Sequence, residues 1–152
     1  GKSETALSLI ERGYSLVSDD VTEIRRTSRG RIICWANEVT RYHMEIRGLG
    51  IIHVPSLFGV SSIRRQTELD IVIDLKKPSG DEDRTGVHPE TVDLMGVQVP
   101  CIRLPVRSGR DMANIVEVAA LNQKLKELGH DAAKELDDKI INRLTRGRVS
   151  HG

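Results

Sequence analysis

The sequence is poor in almost everything that a nucleic-acid reader, a metal centre or a membrane protein would need. Aromatic residues make up only 3% of 152 positions (one Trp, one Phe and two Tyr), so no platform exists on which bases would stack. Lysine plus arginine (23) and aspartate plus glutamate (22) nearly cancel, leaving a formal charge of +1 and no broad basic field. The two cysteines, Cys34 and Cys101, lie too far apart for a metal or redox motif, and reduced thiols in the cytosol are the plain expectation. His43, His53, His88, His130 and His151 show no zinc spacing. No apolar run approaches the roughly 20 residues of a membrane helix, and no leader segment is visible. The expected protein is therefore cytoplasmic, with neither nucleic-acid nor membrane partners. What is there suits one water-soluble domain with a core: 38% of residues are hydrophobic and 30% charged.

Periodicity sets out the elements. The spacing predicts a helix over 3–12, where Ala6, Leu7, Leu9 and Ile10 form an apolar stripe. Glu4 suits its positive end, and Gly13 can stop it in left-handed geometry. Residues 14–18 read as a strand ending at Asp19-Asp20, which suggests a right-handed βαβ unit whose first strand lies further upstream. Two more strands, 21–26 and 31–35, flank a turn at Ser28-Arg29-Gly30. The stretch 41–52 contains Gly48-Leu49-Gly50, too permissive for a regular element, and 51–59 reads as apolar and buried. Ile71-Val72-Ile73 predicts a core strand, 78–89 a polar loop, and 97–106 a strand interrupted at Pro100 and closed by Pro105. Two helices, 112–128 and 132–144, meet at Gly129, the first with a broad apolar face through Ile115, Val116, Val118, Ala119, Leu121 and Leu125. The basic stretch 134–148 reads as a solvated helix face.

Chemistry concentrates near the start. Gly1-Lys2-Ser3 opens the first helix, and such an opening suits phosphate: backbone N–H groups and the helix end hold the anion, Lys2 reaches it, and Ser3 can ligate Mg²⁺. The earlier glycine of a full G-x-x-x-x-G-K-[ST] loop is not in the chain. As neighbours on a strand end, Asp19 and Asp20 point opposite ways, so one can face a metal and the other a substrate. Two carboxylates facing one phosphate would repel it unless a cation or proton intervenes. Glu45 is a third acid. Arg84 could stabilise charge on a transferring phosphoryl group, and Arg107 and Arg110, flanking Ser108-Gly109, could bind a second anion.

Three stretches together resemble the HPr kinase/phosphorylase family. They are Gly1-Lys2-Ser3-Glu4-Thr5-Ala6-Leu7 with Leu16-Val17-Ser18-Asp19-Asp20; His43-Met44-Glu45-Ile46-Arg47-Gly48-Leu49-Gly50-Ile51-Ile52 followed by Leu57-Phe58-Gly59; and Leu104-Pro105-Val106-Arg107-Ser108-Gly109-Arg110 with the helix from Ile115 to Asn122. The resemblance implies an α/β phosphate-loop kinase domain with a mixed sheet, related to the phosphoenolpyruvate carboxykinase-like nucleotide-binding fold, plus two C-terminal helices. It implies a catalytic domain over 1–147, with a disordered tail over 148–152.

The implied activity is phosphorylation of a serine on the phosphocarrier protein HPr, using ATP or pyrophosphate and Mg²⁺. The reverse reaction would be phosphorolysis with inorganic phosphate, giving pyrophosphate. By motif position, Asp20, Lys2 and Arg84 would be catalytic, and Gly1, Lys2, Ser3 and Glu4 would bind nucleotide. Ser3, Glu45 and Asp19 would hold the metal, and Pro105, Arg107, Gly109 and Arg110 would serve dephosphorylation. A homo-hexamer that receives HPr at its C-terminal helix is implied as well. Ser108 departs from the family pattern, which has proline there, and relaxes the backbone at that point. Two other readings stand beside this one: a kinase or carboxykinase-like enzyme acting on a small metabolite, and a nucleotide-sensing module without catalysis.

Overall fold

The structure, a computed structural model, describes residues 2–77 and 90–149. Contacts divide the chain into two compact units, Gly1–Glu117 and Val118–Gly152. The first unit opens with helix α1 (Lys2–Glu11). It ends as foreseen at Gly13, whose φ of 101° only glycine adopts cheaply. Tyr14 N donates to the Leu9 carbonyl and Gly13 N to that of Ile10, the paired bonds that close a helix on a left-handed residue.

The strand expected over 14–18 is a single parallel bridge, Leu16 to Ile63. Leu16 gives its N–H to Ser62 O and accepts from Arg64 N, both at 2.8 Å. With the helix-stopping turn on one side and the bend at the acid pair on the other, only one residue stays in register. β1 (Glu23–Arg26) and β2 (Ile32–Trp35) form the expected antiparallel hairpin.

The segment read as too glycine-rich for regular structure is a hairpin, β3 (His43–Ile46) and β4 (Gly50–His53). Its glycines make the turn possible: Gly48 and Gly50 have φ of 85° and 105°, and Leu49 N closes onto Ile46 O at 3.0 Å. The stretch after it is only partly buried. A short helix, α2 (Val54–Phe58), sinks Val54 completely, while Ile51 and Leu57 are 75% and 62% exposed. A 3-10 turn at Val60–Ser62 leads into β5 (Gln66–Glu68), which completes an antiparallel sheet in the order β1-β2-β5.

β6 (Val72–Lys76), β7 (Glu90–Leu94) and β8 (Val97–Pro105) form a mixed sheet in the order β6-β8-β7, parallel on one side and antiparallel on the other. The sequence reading had no counterpart to β7. Its signal was the alternation of Val92 and Leu94 with Thr91 and Asp93 before the turn at Met95-Gly96. Pro100 does not interrupt β8. It pairs with Thr91 beyond the end of β6, whose register starts at Cys101, so its missing N–H is needed on one side only.

Helix α3 (Gly109–Glu127) begins in the first unit. There Met112 and Ala113 are buried and Ile115 and Val116 half-buried. Arg12, past the end of α1, meets Glu117 at 3.6 Å. The Tyr14 hydroxyl is held above its ordinary pKa, first by desolvation and then by a hydrogen bond to Glu117. In the second unit the broad apolar face does not stay covered within this chain: Val118, Leu121 and Leu125 are exposed. The same holds for Leu136, Ile140, Ile141 and Leu144 of α4 (Ala132–Val149), which enters the stretch read as a tail.

Two apolar clusters hold the first unit. Ile32, Cys34 and Val99 are buried with Ile24, Leu69, Val72, Val92, Leu94 and Val97 around them, which joins one face of each sheet. Desolvation raises the Cys34 thiol pKa, in keeping with a reduced, inert cysteine. Ile10, Leu16, Met44 and Val54 form the other cluster, with Ala6, Ile46, Ile52, Phe58 and Ile63 packed against it. Met44 is 1% exposed and ties the hairpin to α1. Met44→Ala should cost roughly 2–4 kcal/mol through lost burial and the cavity left behind. Urea unfolding measures it; a midpoint matching the parent would show that the hairpin is not held by this cluster.

Candidate active site

The elements around the second cluster carry most of the predicted acids. Strand alternation buries Met44 and turns Glu45 the other way. The bend after Leu16 turns the acid pair toward it: Glu45 N donates to Asp19 Oδ2 at 3.1 Å. This amide faces Asp19 rather than β4, so the carboxylate takes a donor that the hairpin ladder leaves over. Asp20 takes a different partner, the Lys2 ammonium in the first turn of α1, 2.8 Å from Oδ1. The two aspartates lie in a bend rather than at a strand end, and both line one cavity while making separate contacts.

A cavity of about 490 Å³ lies over this junction. Asp19, Asp20 and Glu45 supply its acidic side; Val21, Val39, Met44 and Ile51 its apolar side; Ser18, Asn37, Thr40 and His43 further polar groups. The loop bearing Asn37 is built by that side chain, whose Oδ1 accepts from Val39 N at 2.8 Å and Thr40 N at 3.1 Å. Tyr42, next to His43, has φ of 73°, an unfavourable backbone for an aromatic residue. Its carbonyl accepts Val54 N at 2.8 Å, which ties that geometry to the start of α2. His43 Nδ1 lies 2.9 Å from Arg41 O. Asn37, Thr40 and His43 were missed in the sequence, since lone polar residues in a loop carry no spacing signal.

Not every expected site residue comes together. Ser3 lies in the first turn of α1, half-buried, and the described residues give its hydroxyl no hydrogen bond to Asp19 or Glu45. Glu4 is on the same turn. Gly1 and Arg84 fall outside the described residues. Among the described residues the lining of the cavity includes neither Pro105, at the end of β8, nor Arg107 just after it, while Gly109 and Arg110 open α3. That segment has its own local order. Val106 N donates to Lys76 O at 2.7 Å, Met112 N to Ser108 O at 2.8 Å, and Ser108 Oγ to Asp111 Oδ2 at 3.0 Å. Ser108 thus stands at the start of a helix, where serine is favoured.

The donor set fits a hard divalent cation only in one manner. Among the described residues no group of three or more His, Cys, Asp or Glu side chains is placed to hold a metal by itself. Mg²⁺ commonly uses one or two carboxylates and completes its octahedron with water and substrate phosphate. Asp19 and Glu45 offer that many oxygens at one cavity wall.

Fold and cavity together define a class: an α/β domain with three carboxylates at one cavity, one of them paired to a helix-borne lysine, suited to a charged phosphate substrate. The comparisons make this specific. The family model described as the HPr Serine kinase C-terminal domain matches residues 1–140, and the chain belongs to that family. It is 48% identical to the HPr kinase/phosphorylase of Leptospira biflexa over 98% of its length, and 43% identical to that of Caldicellulosiruptor bescii over 97%. It spans about half the length of these curated relatives, 48% of each. Among solved structures it is similar to the Hpr(Ser) kinase/phosphatase from Coxiella burnetii. That match has a TM-score of 0.75 at 33% identity, covering 90% of this chain and 84% of the other.

The Asp19 contact yields a direct test. In Asp19→Ala the Glu45 amide should exchange with solvent roughly tenfold faster, the size expected for one lost hydrogen bond. Residue-resolved hydrogen exchange reads it, and unchanged protection at Glu45 would show that Asp19 does not secure the strand.

Proposed function

We propose that this chain is the catalytic part of a cytoplasmic, bifunctional enzyme. It phosphorylates a serine of HPr or an HPr-like phosphocarrier with ATP or pyrophosphate, and removes that phosphate with inorganic phosphate to give pyrophosphate. One observation carries the reading: Asp19, Asp20 and Glu45 line one cavity, and Lys2 of α1 pairs with Asp20 there. Family membership and the relatives' names agree with it. A homo-hexamer is part of the same proposal, and the exposed apolar residues of α3 and α4 are compatible with subunit contacts.

A serine hydroxyl is a weak nucleophile and needs a positioned base. In this structure the Asp20 carboxylate is occupied by Lys2 in an exposed ion pair, with side chains 61% and 62% exposed. Such pairs are weak and exchange readily. An incoming polyphosphate offers Lys2 more charge, so the ammonium turns to it and leaves Asp20 free to take the serine proton. In reverse, inorganic phosphate attacks the phosphoserine phosphorus, the bond to the serine oxygen breaks, and protonated Asp20 returns the proton to that oxygen. Asp19 holds Glu45 in place through its amide and, with Glu45 and Ser3, would hold Mg²⁺. When bound, the ion supplies charge neutralisation across the phosphates. Pro105, Arg107, Gly109 and Arg110 belong to the reverse direction in this proposal, and Arg84 to charge stabilisation during transfer.

In the full-length enzyme, Asp20→Asn should lower both directions by roughly 10²–10⁴-fold while ATP still binds, the range for a lost general base. Phosphoserine formation on HPr and pyrophosphate release are the readouts; near-parental turnover would refute the proton-transfer role. Ser3→Ala should shift the Mg²⁺ titration of kinase activity to higher concentration. A superimposable titration would remove Ser3 from the metal site.

A further inference from the structure

A second cleft, of about 300 Å³, borders the Asn37 loop, beside the acid cavity. Arg25, Arg41 and Arg65 line it together with Trp35, Gln66 and Glu38, and Asn37 borders both spaces. Its floor is the outer face of the β1-β2-β5 sheet. Trp35 pairs in register with Glu23 on one side and Gln66 on the other, and Arg25 shares the face of Glu23 by strand alternation. Ile24 and Cys34 point the other way, into the core.

The charges in this cleft are unlike those beside it. Arg31, just before β2, is satisfied by Glu68 at 3.2 Å and Asp70 at 3.4 Å. Arg103 likewise meets Glu90 at 3.1 Å. Among the described residues, Arg25, Arg41 and Arg65 have no ion pair, although Glu38 lines the same space. The Arg41 guanidinium lies over the Tyr42 ring at 5.3 Å, which restrains it without consuming its charge. Three unpaired guanidinium groups against the one carboxylate of the lining make the cleft net positive, at the edge of a half-buried indole. An anion in this cleft meets several charged donors at once, and the planar fork of arginine matches phosphate oxygens two at a time.

We propose that this cleft is a second anion site, separate from the acid cavity, which takes a small phosphate-class polyanion on Arg25, Arg41 and Arg65. Trp35 is the single tryptophan of the chain and reports on it directly. Inorganic tripolyphosphate, titrated at constant ionic strength with chelator to remove divalent cations, should change Trp35 emission saturably. Arg25→Gln and Arg65→Gln, both at exposed positions, should each weaken the midpoint roughly tenfold, the scale of one lost charge-assisted contact. Lys2→Ala should leave the midpoint in place, which separates this site from the phosphate-handling end of α1. Circular dichroism confirms that the variants are folded. The proposal is overturned by an emission that does not respond to tripolyphosphate, by midpoints unchanged in both arginine variants, or by a response that vanishes in Lys2→Ala.

Discussion

The site depends on the burial of Met44. This side chain, with Ile10, Leu16 and Val54, forms the apolar contact on which α1, the bend at 16–20 and the β3-β4 hairpin converge. Each of those elements carries one part of the site on its other side: Lys2 at the start of α1, Asp19 and Asp20 at the bend, Glu45 next to Met44. Strand periodicity makes the arrangement compulsory, because burying Met44 forces Glu45 outward. Three carboxylates could not gather for their own sake, since their mutual repulsion opposes it. Apolar packing brings them together, and the lysine and a backbone amide then take up part of their charge.

The contacts at the site describe a poised state. Lys2 neutralises Asp20 in an exposed pair that a stronger anion can break, whereas Asp19 is engaged by a main-chain amide that has nowhere else to go. The two aspartates therefore differ in availability although they are adjacent and identical. Asp19 accepts from a main-chain amide, and Asp20 sits in an exposed ion pair.

Legibility in the sequence was uneven. The helix after Gly1-Lys2-Ser3, its stop at Gly13, the β1-β2 hairpin and the two long C-terminal helices were readable because each rests on local periodicity or turn chemistry. The β3-β4 hairpin was misread because Gly48-Leu49-Gly50 looked like a loop; those glycines are its turn. β7 carries only a weak local signal, and Pro100 reads locally as an interruption, since nothing nearby tells that it pairs beyond the end of β6. The apolar stripes of α3 and α4 were correctly placed, but in the second unit much of that surface is exposed.

By itself the sequence determined which residues could do phosphate chemistry, in what order they come, and which family they resemble, because motif spacing and residue type are written along the chain. Only the tertiary structure decided that Lys2 meets Asp20, that Glu45 is secured through Asp19, and that Arg25, Arg41 and Arg65 share a cleft around Trp35. These are meetings between residues far apart in sequence. They follow from which apolar side chains pack together and in what register, and no local pattern records that.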